Sequence, residues 1–103
     1  MQNLNSSELL EKFAVDDILA FEEIYNRYSK QMFLFAMNVF KEKQVCEDII
    51  QNVFIDFWSK RKTLQVTNLK AYLFQSVKYQ IFNHIRNRKL SFQDLTRLNV
   101  IDL

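Results

Sequence analysis

The sequence predicts an all-α domain, and three observations carry that prediction. The 103 residues contain no glycine and no proline, whereas a β-rich fold of this size needs turn residues at each hairpin. Apolar residues recur at spacings of three and four over long stretches, as they do on helices with one buried face. Nearly half the residues are hydrophobic, with ten Phe, four Tyr and one Trp. That is too apolar for a disordered chain and enough for one modest core. The expected architecture is a compact bundle of three main helices plus a short N-terminal one. No repeat, low-complexity tract or signal peptide is visible, and no apolar run is long enough to span a bilayer. Membrane insertion is not expected.

Taken in order, residues 1–5 should fray, and Ser6 or Ser7 can cap a short helix to about Ala14 that turns Leu9, Leu10 and Phe13 inward. Asp16 and Asp17 start a second helix, with Glu22 and Glu23 near its positive N-terminal end. Phe21, Ile24, Tyr25, Tyr28, Met32, Phe35, Ala36 and Val39 form its stripe down to about Phe40. Phe33, Leu34 and Met37 add apolar surface on further sides, and these aromatics read as core rather than as a ligand box. After a polar break at residues 41–44, a third helix is expected over about Val45 to Arg61. Its buried face is Ile49, Ile50, Val53, Phe54 and Phe57, flanked by Trp58. Its other face is the row Asp48, Gln51, Asn52, Ile55 and Ser59. An isoleucine ringed by hydrogen-bonding groups suits a protein contact, although a stray surface isoleucine is also common.

The loop Lys60–Thr67 opens with three consecutive cations, Lys60, Arg61 and Lys62, and Thr67 or Asn68 can cap the last helix. That helix, Asn68 to Lys89, has two faces of different chemistry. Leu69, Leu73, Val77, Ile81 and Ile85, with Phe74, make a core stripe. Opposite lie Tyr72, Gln75, Ser76, Tyr79, Phe82, Asn83 and Arg86, and the helix runs out into Arg88 and Lys89. An ordinary solvated face would be mostly Glu and Lys. Rings that stack on bases, amides that read base edges and cations that hold phosphates suit single-stranded nucleic acid better, although the helix taken alone reads equally well as an amphipathic helix with a few exposed tyrosines. Residues 90–103 read as a partly helical tail or linker.

The net charge of +2 conceals an asymmetry. From Met1 to Trp58 five basic residues face ten acidic ones, a net of −5, whereas from Ser59 to Leu103 nine face two, a net of +7. The basic half suits a polyanion and the acidic half a different partner. Catalytic chemistry has little to stand on. His84 is the only histidine and falls beside the core stripe, and without glycine there is no phosphate-cradling loop. The single Cys46 cannot form an internal disulfide, which fits a reducing cytoplasm. A helix start can lower a thiol pKa somewhat, but packing or chance is the commoner reason for a cysteine there. Neither cofactor nor metal is expected, and an enzyme is an unfavoured class.

Three stretches resemble region 2 of bacterial RNA polymerase sigma factors of the extracytoplasmic-function (ECF) type, within the sigma-70 family. Asp17-Ile-Leu-Ala-Phe-Glu-Glu-Ile-Tyr-Asn-Arg-Tyr28 is similar to that family's opening motif. Glu47-Asp-Ile-Ile-Gln-Asn-Val-Phe-Ile-Asp-Phe-Trp58 is similar to its Glu-Asp helix. Asn68-Leu-Lys-Ala-Tyr-Leu-Phe, closing with Asn83-His-Ile-Arg-Asn-Arg-Lys89, is similar to its promoter-reading helix and basic end.

The resemblance implies that residues 1–89 form the region 2 domain and 90–103 begin a linker. It implies that Asp48, Gln51, Asn52 and Ile55 dock on the coiled coil of the polymerase β′ subunit. It also implies that the loop (Lys60, Arg61, Lys62, Leu64, Thr67, Asn68) and the helix (Tyr72, Gln75, Lys78, Tyr79, Asn83, Arg86, Arg88, Lys89) capture the non-template strand of the melted minus-ten promoter element. Leu64 to Asn68 would form a pocket for a flipped base. An anti-sigma factor covering the same surfaces is implied by analogy.

Two departures stand out. Asn52 replaces the family's usual acidic residue, which weakens or rearranges that contact. The second helical domain of ECF factors, a helix-turn-helix, has no counterpart, so the chain reads as an excised domain or a natural short form. The rival readings are a helical protein–protein module and a duplex-reading helical bundle.

Overall fold

The computed structural model describes residues 3–88, and of Arg88 only the backbone. The expectations for Lys89, for the side chain of Arg88 and for the tail 90–103 lie outside the described residues. Among those described there are four helices and no strand: α1 Ser6–Ala14, α2 Ile18–Val39, α3 Lys43–Ser59 and α4 Leu69–Arg88. This is the all-α bundle that the helical spacing predicts.

The helix starts follow local chemistry closely enough to move some expected boundaries. Asn5, not Ser6 or Ser7, caps α1. Its side chain accepts from the Glu8 amide at 2.9 Å while the Glu8 carboxylate accepts from the Asn5 amide at 3.2 Å, a reciprocal capping box. Ser6 is thereby the first helical residue, and its hydroxyl meets that of Tyr28 at 3.1 Å. The α1–α2 turn passes through Asp16 at φ 68°, a left-handed conformation that Asp tolerates better than most residues. Asp17 then caps α2 by accepting from the Leu19 amide at 3.0 Å. Glu22 and Glu23 fall in the second turn rather than the first, and Glu23 pairs with Arg27 at 2.8 Å. α3 starts two residues before the expected Val45. The polar residues Lys43 and Gln44 make its first turn, supported by i,i+4 contacts to Glu47 and Asp48. Asn68 caps α4 by accepting from the Ala71 amide at 3.0 Å.

The core is built from one stripe per helix. α1 supplies Leu9 and Phe13, α2 supplies Ala20, Ile24, Met32 and Ala36, and α3 supplies Ile49, Ile50, Val53, Phe54 and Phe57. Leu69, Leu73, Val77, Ile81 and Ile85, all five residues of the expected stripe, are buried on α4. Removing each such Leu or Ile from water contributes roughly 1.5–3 kcal/mol. Rings join α1 to α3, with Phe13 stacked on Phe57 at 4.2 Å and edge-on to Trp58.

Two expectations are corrected. Tyr25 and Leu34 are exposed rather than core, because α2 is 22 residues long and its neighbours cover only part of its circumference. Cys46 has the packing role that is the commoner one for such a residue: it is buried and donates to the Phe40 carbonyl at 3.3 Å. Burial, with the Glu42 charge second, pushes its pKa up rather than down.

Candidate functional site

Along α3 the side chains of Asp48, Gln51, Asn52 and Ile55 are all exposed, Ile55 at 61%. Asp48 accepts from the Gln44 amide at 3.0 Å. The row borders a groove of about 960 Å³ between α2 and α3. Ile18, Phe21 and Tyr25 line it from α2, and Gln51, Ile55 and Trp58 from α3. Tyr25 leans on Phe54 at 4.8 Å, which fixes the groove floor. The groove is the part of this face that the stripe reading missed. Ile18, Phe21, Tyr25, Ser29 and Phe33 recur at three and four, a spacing that marks a seam facing a second helix as well as it marks core.

The basic loop is a tight, internally bonded turn. The Leu64 amide donates to the Lys60 carbonyl at 3.0 Å and the Thr63 hydroxyl to the same oxygen at 3.3 Å. Leu64 packs half-buried against the core, leaving Thr67 and Asn68 exposed where α4 begins. Each of the three cations has an acidic partner. Lys60 pairs with Asp56 at 3.0 Å, and that hydrogen bond raises the ammonium pKa, followed by the Asp56 charge and with smaller contributions from Tyr72 and Tyr79. Arg61 and Lys62 pair with the two oxygens of Asp16 at 2.5 and 3.2 Å. Arg61 also donates to the Trp58 carbonyl at 2.9 Å and lies 4.1 Å over the Trp58 ring. Arg61 is 22% exposed at its side chain, so it is more deeply seated than a loop cation of sequence KRK suggests.

On α4, Gln75, Tyr79, Phe82 and Arg86 are exposed, with Lys78 and Asn83 partly so. Tyr79 reaches 64% exposure and Phe82 47%. Arg86 donates to the Asn83 side-chain oxygen, which aligns amide and guanidinium one turn apart. Tyr72 stands apart from this row. It is half-buried and its ring lies 6.0 Å from Phe57, because the start of α4 is pressed on α3. His84 is half-buried, edge-on to Phe40 at 5.0 Å. Among the described residues no three of His, Cys, Asp and Glu gather where a metal ion could be held. No helix of the described residues is long and apolar enough to cross a membrane.

The four helices of the described residues thus present two exposed rows, one of rings, an amide and a guanidinium on α4 and one of polar residues around Ile55 on α3. The Sigma-70 region 2 family model matches residues 24–91, and the chain belongs to that family. Sigma factors are transcription-initiation factors and not enzymes. The chain is also similar to the ECF RNA polymerase sigma factor SigM of Bacillus subtilis (strain 168), at 24% identity over 71 residues. That match covers 69% of this chain and 44% of the relative, so the chain spans less than half of that protein's length. No solved structure matches the chain significantly.

Proposed function

We propose that this chain acts in the cytoplasm as region 2 of an ECF-type sigma factor, through two binding surfaces. Asp48, Gln51, Asn52 and Ile55 dock on the β′ coiled coil of RNA polymerase. The loop from Lys60 to Asn68 and the outer face of α4 then capture the non-template strand of the melted minus-ten element. The observation that carries this reading is the exposed row Gln75, Tyr79, Phe82 and Arg86, set on a helix whose opposite stripe is buried. A surface of rings, an amide and a guanidinium can stack on unpaired bases, read their edges and hold their phosphates. Tyr79 is the stacking ring, worth ~1–3 kcal/mol per base. Tyr72, half-buried beside Phe57, borders the strand's path from the start of α4. Lys78, Arg86, Arg88 and Lys89 hold phosphates, and Leu64 to Asn68 receive a flipped base. An anti-sigma factor would inhibit by covering both surfaces.

The deciding experiment measures retention of fluorescent minus-ten oligonucleotides by the chain together with the β′ coiled coil. Preference for the non-template strand over its complement is expected. Preference for duplex without any need of the coiled coil would favour a major-groove reader. Binding of an amphipathic peptide with no nucleic-acid affinity at any salt would favour a helical interaction module.

A further inference from the structure

The three loop cations are each already paired with a carboxylate of this chain, and one carboxylate takes two of them. Asp16 sends one oxygen to Arg61 and the other to Lys62, across 45 residues of sequence. Its position is fixed from below. The turn holding it at φ 68° is closed by the Asp16 amide donating to Phe13 O at 3.1 Å and the Asp17 amide donating to Lys12 O at 3.1 Å. The two cations are not equivalent. Arg61 is anchored a second and third time by the Trp58 carbonyl and ring. For Lys62 the pair with Asp16 is the contact seen, and its side chain is 64% exposed.

We infer that Asp16 is an internal competitor of nucleic-acid phosphate: it occupies the Arg61–Lys62 end of the basic loop, and a bound strand must displace it from Lys62. The inference rests on the reading of the loop as a phosphate-binding element. The physical basis is that both partners sit in water. The Asp16 side chain is 47% exposed, and exposed ion pairs are exchanged at little cost. A phosphate at Lys62 meets a cation that Asp16 already holds, so the strand gains only the difference between two anions. Arg61, held by Trp58, keeps the loop shaped while Lys62 changes partner. The carboxylate thus tunes affinity downward without altering which bases the α4 row meets. Non-specific binding is weakened most, since it depends wholly on phosphates.

The test is titration of the 103-residue chain against an oligo(dT) single strand over a range of salt, for the wild type, Asp16→Asn and Glu11→Gln. Asparagine tolerates the left-handed turn, and circular dichroism verifies that the fold is kept. Glu11 is exposed on α1 and controls for the simple loss of one negative charge. One further phosphate contact adds about −0.7 to the log–log salt slope. At 0.1 M salt this corresponds to roughly fivefold tighter binding relative to 1 M. Asp16→Asn is expected to show that gain and steepening beyond Glu11→Gln, and adding Lys62→Gln to it should remove most of both. Wild-type binding that depends on salt, with Asp16→Asn no tighter than Glu11→Gln, overturns the competition and leaves the phosphate-binding loop standing. Absence of single-strand binding in all variants overturns both.

Discussion

Arg61 has more contacts inside the molecule than a phosphate-gripping side chain needs. It bonds Asp16 and the Trp58 carbonyl and covers the Trp58 ring, so its long stem and planar head join the α1–α2 turn to the end of α3. An Arg serves here better than a Lys, because the flat guanidinium stacks and donates in several directions at once. Cys46 shows a second case in which the surroundings decide what a residue type does. Nothing in the surrounding sequence announces that its thiol is buried and bonded to the Phe40 carbonyl. Burial and the Glu42 charge raise its pKa, so at neutral pH it is both protonated and shielded. Its reaction with a thiol-labelling reagent is expected to be slow in the folded protein and to rise by at least about tenfold in urea, once the native shielding is lost. Equal rates in the two conditions would mean that the helix start, rather than burial, governs the thiol.

At the scale of the element, α3 and α4 each divide into a buried and an exposed side, and the two exposed sides carry different chemistry. This division makes the two proposed functions separable by mutation. Tyr79→Ala deletes an exposed ring and leaves the stripe of Leu73, Val77 and Ile81 intact, so it should weaken capture of the melted strand by roughly five- to hundredfold, the equivalent of ~1–3 kcal/mol. Docking on the β′ coiled coil should be unaffected. Asp48→Ala or Gln51→Ala should do the reverse, since both side chains are exposed on α3. Surface plasmon resonance with an immobilised strand and an immobilised coiled coil checks both halves. Loss of both activities in either variant would mean that the two rows form one surface.

The helices themselves were legible because their signal is periodic. Leu69, Leu73, Val77, Ile81 and Ile85 identify the buried side of α4 from spacing alone. What the spacing does not report is how much of a helix its neighbours cover, which is why Tyr25 and Leu34 read as core and stand exposed. Nor does it report contacts made across the chain. The seat of Tyr72 on Phe57 and the reach of Asp16 to the loop depend on how α1, α3 and α4 come together. Cap positions lie between these extremes. Asn68 follows from residue type, but Asn5 displaced Ser6 because only the Asn5–Glu8 pair has the spacing for a reciprocal box.

Over the whole molecule, charge is sorted along the chain and then partly cancelled across it. The first 58 residues carry a net −5 and the remainder +7, yet Asp16 and Asp56 from the acidic half are folded onto Arg61, Lys62 and Lys60 of the basic half. A long-range field therefore survives mainly where α4 carries Lys78 and Arg86 without acidic residues of its own, as it has none between Leu69 and Arg88. This predicts an affinity governed by a handful of phosphates rather than by the full basic count. With about four to six contacts, log affinity for a single strand should fall with log salt at a slope of roughly −3 to −4, at −0.7 per contact. The salt dependence of docking on the coiled coil should be much weaker, because the α3 row is centred on Ile55 and amides. Fluorescence anisotropy between 0.05 and 0.5 M salt, on the order of the range over which such slopes are read, separates the two. A flat response with the strand would remove phosphate from the interaction. An equally steep one with the coiled coil would move the charge from α4 to the α3 face.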